Sequence, residues 1–199
     1  MKEIKYDKYY WQSAKIRLRP MLPEDWEESY YNMFDSEARR KLQYQIELPT
    51  SLELEQEGVN KFVNFNTETN RYMFTIETLD GTNVGALNLN SIDERNGTFS
   101  IGMQVGRDYR GKGYGTAAMR ILLRYAFFER RLNKYYGSVL ETNIASPTML
   151  KKVGCVQEGV QRQMVYTDGR YHDIILYGLT KEEFIENEKK FQDLSLRKE

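Results

Sequence analysis

The sequence predicts an α/β protein, an α+β mixed sheet with helices on both faces in the order β-α-α-α-βββ-α-β-α-ββ. Three observations carry this reading. From Arg71 to Val105 the apolar residues follow a strand period, and two turn signals, Asp80-Gly81 and Asp93 to Gly97 (DERNG), fold the stretch into successive antiparallel hairpins. A long apolar helical segment, Thr116 to about Arg131, then crosses over to a strand at Tyr135 to Glu141, which is therefore parallel to the strand before the helix. Between them lies Val105 to Thr116, VGRDYRGKGYGT, whose alternating glycines and cations exceed what a plain connection needs.

Taken in order, residues 1 to 14 are polar with an aromatic cluster at Tyr9, Tyr10 and Trp11, and read as a tail or an extra element packed on the domain. Lys15 to Pro20 alternates apolar and basic, the pattern of a half-buried strand ended by proline. Pro23, followed by Glu24, Asp25, Glu27 and Glu28, opens a helix to about Phe34, since proline suits the first turn and acids favour the positive end of the dipole. A short helix over Glu37 to Gln43 follows. Thr50 and Glu53 fit a capping box for a third helix to about Phe65, with Leu52, Val59, Phe62 and Val63 as its apolar face.

The three strands are Tyr72 to Leu79, Val84 to Asn90 and Thr98 to Val105. After the crossover strand, Pro147 opens a helix that stops at Gly154, and Val160 to Tyr166 pairs with Asp173 to Leu179 around Asp168-Gly169. Thr180 and Glu183 form a capping box for a charged C-terminal helix anchored by Phe184, Ile185 and Phe191. The expected organisation is one domain over 15–180, preceded by the short N-terminal segment and followed by a helix over 181–199.

Composition narrows the function. The 199 residues are 40% apolar and carry 29 basic and 29 acidic side chains, a balance that argues against a nucleic-acid partner. One cysteine and one histidine exclude an internal disulfide and an ordinary zinc site, so no metal is expected. With no signal-like start and no apolar run of membrane length, a soluble cytoplasmic protein without a membrane partner is the default expectation.

Gly111, Gly113 and Gly115 let the backbone approach a ligand at positive φ and converge several N–H groups on one anion, and the following helix adds its own unpaired N–H groups. The loop is a phosphate-binding turn, open to three ligand classes. A P-loop reading of Gly106 to Gly113 lacks the Ser/Thr that holds magnesium, because Gly113 stands there. A dinucleotide reading of Gly113, Gly115 and Ala118 with Glu141 is offset from the strand by Gly106 to Lys112 and follows antiparallel hairpins.

The third reading rests on further spacing. Arg110-Gly-Lys-Gly113-Tyr-Gly115 is R-x-x-G-x-G and resembles the acetyl-CoA pyrophosphate loop of the GCN5-related N-acetyltransferases. Asn143-Ile-Ala-Ser146 with Leu150-Lys-Lys-Val-Gly154 resembles that family's N-x-x-S-x-x-x-L-x-K-x-G segment. Glu158-Gly159 with Arg162, and Gly169 to Asp173, resemble the stretches that follow it. The similarity extends over roughly Lys15 to Phe184 and points to the branch of ribosomal-protein N-terminal, spermidine and small-amine acetyltransferases.

The resemblance implies the GNAT acyl-CoA N-acyltransferase fold and direct transfer of an acetyl group from acetyl-CoA to a primary amine. The resemblance also implies a protein N-terminus or a small molecule such as a polyamine as acceptor, and a monomer or homodimer as the assembly. Arg110, Gly111, Lys112, Gly113, Tyr114, Gly115 and Thr116 would grip the pyrophosphate. Met103, Gln104 and Val105 would pair their main chain with pantetheine, an N–H near Val105 would polarise the thioester carbonyl, and Asn143 and Ser146 would flank the pantetheine and thiol from the other side. Ser146 before Pro147 also has the signature of a helix N-cap.

For acid–base chemistry the family commonly places a tyrosine where this chain has Leu150. That leaves Ser146, water or another tyrosine such as Tyr166 to protonate the thiolate, and Glu77 or Glu141 as base. Asn88 and Asn90 are candidates to orient substrate. His172 reads as structural or exposed, Cys155 as a small core residue, and the acidic Glu24 to Glu28 helix as a lure for a cationic amine or a solvated helix start. A non-catalytic acyl-CoA-binding module of the same fold is the alternative.

Overall fold

In this computed structural model the described residues are 4–63 and 70–196, with side chains described as far as residue 190. Seven strands form one sheet: β1 (Ile16–Pro20), β2 (Arg71–Thr78), β3 (Asn83–Asp93), β4 (Thr98–Val105), β5 (Lys134–Leu140), β6 (Val156–Thr167) and β7 (Arg170–Thr180). Their order across the sheet is β1-β2-β3-β4-β5-β7-β6, and every neighbouring pair is antiparallel except β4 and β5. The α/β mixed sheet read from the sequence is therefore the observed fold.

Six helices flank it: α1 (Trp26–Met33), α2 (Ser36–Gln43), α3 (Leu52–Val63), α4 (Tyr114–Arg124), α5 (Ala145–Lys152) and α6 (Lys181–Leu196). Side-chain alternation along β4 separates the two layers. Gln104 reaches Asn32 and Arg39 of α1 and α2. Met103 and Val105 face the other way, within about 3.5 Å of where a Cβ on Gly115 of α4 would stand. On the α4 side the core gathers Ile16, Leu18, Ile76, Leu87, Leu89 and Phe99 from the strands with Met119, Leu122, Leu123 and Phe127. Trp11 joins this layer, stacked 5.1 Å from Phe74 and 4.7 Å from Tyr125, and its carbonyl accepts from the Leu18 N–H.

Several helix ends differ from the sequence reading, each for a local reason. α4 begins at Tyr114, two residues early, because Gly113 at φ +85 turns the chain directly into the helix. It ends in a π turn over Tyr125–Glu129, closed by the Arg130 N–H on the Tyr125 carbonyl at 3.0 Å. The cap of α3 is Ser51 rather than Thr50, since the Ser51 hydroxyl accepts from the Leu54 N–H. The expected end of that helix at Phe65 lies outside the described residues. α5 begins at Ala145, with Pro147 inside its first turn, and the cap falls to Asn143, whose Oδ1 accepts from the Ser146 N–H at 3.1 Å. Ser146 is thus a first-turn residue and not the N-cap. The Thr180–Glu183 capping box forms as read, and Phe184 is buried; the side chain of Phe191 lies outside the described residues.

Under α1 the sheet carries one buried polar cluster. Asp25 is 5% exposed and accepts from both terminal nitrogens of Arg19 at 2.7 and 2.8 Å, from the Leu22 N–H, from Thr75 and from Asn83. Burial pushes its pKa up, but the hydrogen bonds from Arg19, Leu22 and Thr75 outweigh that and hold it below the ordinary aspartate range. A depressed folded pKa stabilises the protein above the unfolded value near 4 and is lost as pH falls through the folded value. Asp25→Asn is expected to cost about 3 kcal/mol at pH 7, since it leaves Arg19 buried with one carboxylate fewer. In urea melts the gap between wild type and variant should narrow as pH falls below 4; a constant gap from pH 7 to 3 would contradict this account.

Candidate functional site

The site begins where β4 and β5 part. Their ladder holds two residue pairs, Thr98 with Lys134 and Phe99 with Tyr135, and beyond these the strands diverge. The outer neighbours decide which main-chain groups line the opening. The Gly106 N–H on the Val84 carbonyl, at 3.0 Å, continues the β3–β4 ladder and commits the even-numbered residues of β4 to β3. The N–H and C=O groups of Ile101, Met103 and Val105 therefore point into the gap. On the other bank, the Glu141 N–H on Asp173 and the Lys181 N–H on Asn133 commit the odd-numbered residues of β5 to β7. Tyr136, Ser138 and Leu140 turn their main-chain groups to the gap.

This parity separates the three strand residues proposed from sequence. Met103 and Val105 offer gap-facing backbone. Gln104 does not: its main chain is paired with Ala86, and its side chain bonds Arg39 at 3.0 Å and the Asn32 carbonyl at 3.3 Å. Ile101 takes the position that the sequence reading gave to Gln104.

The gap opens onto the glycine loop. Gly111 and Gly113 hold φ of +77 and +85, and the Ala117 N–H on the Gly113 carbonyl is the first bond of α4, so the N–H groups before it precede the intrahelical ladder. Lys15 crosses from the start of β1: its Nζ lies 3.0 Å from the Lys112 carbonyl and 3.2 Å from where a Cβ on Gly113 would stand. The Lys112 ammonium lies over the Tyr109 ring at 5.5 Å.

Arg110 differs from the expectation that its charge faces the loop's anion. Its Nε donates to the Val105 carbonyl at 2.9 Å and its Nη2 to Asp35 at 2.7 Å. Asp35 also caps α2 through the Ala38 N–H and pairs with Arg107 at 3.1 Å. Burial raises the Asp35 pKa, but Arg107, the Ala38 N–H and Arg110 outweigh it and bring it to about 2. One carboxylate thereby ties the loop to the helix layer on the opposite face.

The carboxylates proposed as bases are placed apart. Glu77 is the counter-ion of Arg19 at 2.7 Å and Arg17 at 3.4 Å, in the polar cluster under α1 and two strands from the gap. Glu141 follows the end of β5 and bonds His172 Nδ1 at 2.8 Å, while Nε2 of that ring lies 3.1 Å from the Thr167 carbonyl. His172 is 3% exposed and fastens the β6–β7 turn to the end of β5, which makes it structural. Beside it lies a cavity of about 420 Å³ lined by Ser36, Glu37, Arg40, Thr142, Asp168 and His172, with Arg40 paired to Asp168 at 2.5 Å.

The remaining candidates sort by burial. Leu150 is 2% exposed and belongs to the core. Tyr166 is exposed, edge-on to Tyr171 near the β6–β7 turn. Burial, with Glu183 and Glu158 adding to it, pushes the Cys155 thiol up to about 12, so it is a core residue and no nucleophile. Asn88 fills the space over Gly102 and accepts from Asn90, which places both on the α1–α2 face of the sheet. Burial, then Asp108 and Glu27, raises the Glu28 pKa, and its Oε1 lies 2.7 Å from where a Cβ on Gly106 would stand. Glu28, in the acidic helix start, thus meets the end of β4.

Sequence reasoning missed Lys15, Asp35 and Tyr44. Lys15 and Tyr44 belong to no motif. Asp35, just ahead of α2, carried an N-cap signal. Tyr44 follows α2 at φ +63 and rests its hydroxyl on β5, 2.7 Å from the Ser138 carbonyl.

The acetyltransferase (GNAT) domain model matches residues 15–156, a span that runs from Lys15 to the start of β6. An uncharacterized SPbeta prophage-derived N-acetyltransferase of Bacillus subtilis, YokL, is 30% identical over 175 residues, covering 88% of this chain and 95% of that protein. Among solved structures, spermidine N-acetyltransferase from Vibrio cholerae, in complex with CoA and spermine, matches with a TM-score of 0.75 at 19% identity, over 87% of this chain and 99% of that one. RimL, a ribosomal L7/L12 alpha-N-protein acetyltransferase in complex with coenzyme A, matches at 0.72 and 20% identity, over 84% and 95%. The domain match across the gap and its loop, together with a relative aligned along nearly its whole length, shows that this chain belongs to the GNAT family and is an N-acetyltransferase.

Proposed function

We propose that the enzyme transfers the acetyl group of acetyl-CoA directly to a primary amine, that of a protein N-terminus or of a small molecule such as a polyamine. The observation that carries this is the gap between β4 and β5: main-chain groups outside the strand ladders lead from its apex to a turn of glycine N–H groups at a helix start. An arm with amides at one end and a pyrophosphate at the other suits both halves. Two family relatives with the same fold are described with CoA bound, one beside spermine and one named for a ribosomal protein, which supports the donor and keeps both acceptor classes.

In this reading the N–H groups of the Gly111–Thr116 turn hold the pyrophosphate, with Lys15 and Lys112 supplying charge. Met103, Val105 and Ile101 pair with the pantetheine amides, and Asn143 and Ser146 flank the pantetheine at the start of α5. A gap-facing N–H of β4 polarises the thioester carbonyl, worth about 3 kcal/mol for one well-placed donor. The second reading, a module that binds acyl-CoA without turnover, is favoured by one observation, the aliphatic Leu150 buried where the family commonly has a tyrosine.

Calorimetry with acetyl-CoA followed by thiol release against a panel of amines separates the two. Binding with release for at least one amine is expected, and binding with no release for any peptide N-terminus or polyamine would establish the module instead. Mass analysis of the mixed panel then names the amine that gains an acetyl group.

Two substitutions test the loop. Gly113→Asp sets a carboxylate beside Lys15 and against the pyrophosphate, so acetyl-CoA binding should be lost while circular dichroism is retained; unchanged affinity would remove the loop from the site. Lys15→Met should weaken acetyl-CoA about fivefold, ~1 kcal/mol for an exposed charge pair, with the difference shrinking at high salt and absent for acetyl-pantetheine, which lacks the pyrophosphate.

A further inference from the structure

The departing thiolate needs a proton; the sequence leaves Ser146, water or another tyrosine such as Tyr166 to give it, and Leu150 stands where the family commonly has a tyrosine. Leu150 is aliphatic and in the core, and Tyr166 stands exposed beside the β6–β7 turn. A different phenol rests on the β5 bank of the gap. Tyr44 leaves α2 in the left-handed conformation, φ +63 and ψ 13, which bulky residues hold only where their surroundings impose it. The turn carries its side chain to β5, where the hydroxyl lies 2.7 Å from the Ser138 carbonyl oxygen and 2.9 Å from Ser138 Oγ.

The ladder between β5 and β7 assigns that carbonyl to the open edge, so the Tyr44 hydroxyl stands on the β5 bank of the gap. Its level is set by the two β4–β5 pairs. Continuing their register brings Ser138 opposite Gly102, between the gap-facing groups of Ile101 and Met103 on the other bank. An extended arm anchored at the glycine loop and running toward the apex passes between Met103 and this hydroxyl.

We propose that Tyr44 is the general acid of the reaction, protonating the sulfur of coenzyme A as it leaves. This rests on the acetyl-CoA reading above. The amine nitrogen forms a bond to the thioester carbonyl carbon, and the C–S bond breaks with its electron pair on sulfur. The Tyr44 phenol turns its O–H from the Ser138 carbonyl to that sulfur and gives it the proton, and the proton leaving the nitrogen returns to the phenolate through water. Burial raises the Tyr44 pKa above the ordinary phenol value, so the group carries its proton at neutral pH. Ser138 Oγ is placed to steady the phenol oxygen while the proton is given away.

Tyr44→Phe removes the hydroxyl and keeps the ring. The expected result is a loss of kcat of about 100-fold, with the affinity for acetyl-CoA and the melting temperature little changed. A second readout needs no acceptor amine: the ultraviolet absorbance of the thiolate of bound CoA, titrated with pH. A phenol that donates to sulfur favours the thiolate, so the bound thiol should ionise at lower pH in the wild type than in Tyr44→Phe. If the variant folds poorly, 3,5-difluorotyrosine at position 44 keeps shape and hydroxyl, and its stronger donor should lower the thiol's ionisation below that of the wild type. A kcat within threefold of wild type, or an identical thiol titration in wild type and variant, overturns the proposal. A wild type that shows the titration difference and acetylates no amine overturns the transfer reading, and Tyr44 as acid falls with it, while its contact with sulfur stands.

Discussion

The parting of β4 from β5 after two residue pairs is the constraint from which the rest of the site follows. A sheet interior normally leaves no main-chain donor or acceptor unpaired, because each one buried without a partner costs about 1–3 kcal/mol. Here two strands in the middle of a seven-stranded sheet each turn toward the other an edge that no strand pairs, and side chains take two of its carbonyls, Arg110 that of Val105 and Tyr44 that of Ser138. Such an opening persists only if both flanks are rigid. The β3–β4 and β5–β7 ladders run the length of both strands, and Phe99 and Tyr135, packed with Phe127 at the apex, close the bottom of the wedge. The gap is therefore a fixed slot whose banks are made of backbone.

The slot has a face on each side of the sheet, and one acid joins them. Asp35 caps α2 on the α1–α2 face while it holds Arg107 and Arg110, which belong to the chain entering the glycine loop. Arg110 in turn occupies the gap-facing carbonyl of Val105. The α1–α2 layer, the last main-chain group of β4 and the first residue of the loop thus share a single hydrogen-bonded unit. Because Asp35 is buried and the guanidinium of Arg107 is largely exposed, the pairing with Arg110 and the cap are the parts with energetic weight, and the outer ion pair is screened by solvent.

What was legible in the sequence followed from local chemistry. The Asp-Gly turns, the strand alternation and the helix after the glycines each act within a few residues, and β2, β3, β4 and β5 form close to where they were read. The glycine loop was legible because positive φ and a helix start are written in Gly111 and Gly113 themselves. Gln104 was misjudged because which residues of β4 face the gap depends on the β3 ladder, a parity that no residue of the strand reveals. Ser146 looked like a cap before a proline, yet Asn143 three residues earlier captured its N–H. Lys15 and Tyr44 reach their places across 97 and 94 residues of chain, and nothing near either one marks a site.

These two kinds of legibility correspond to two ways of building a binding face. On the proposed reading the donor side would be read by main-chain groups and by glycines at positive φ, so its requirements are few and can survive where most side chains have changed. The opposite face is built from side chains: Asn88, Asn90, Gln104, Arg39, Glu28 and the cavity beside His172. Any of these changes shape and charge with one substitution while the slot beneath is untouched. On the proposed reading, family membership would then carry the donor across large sequence distances and the acceptor hardly at all. Acceptor choice would rest on the contacts of α1, α2 and the β6–β7 turn, where Glu28 meets Gly106 and Arg40 meets Asp168.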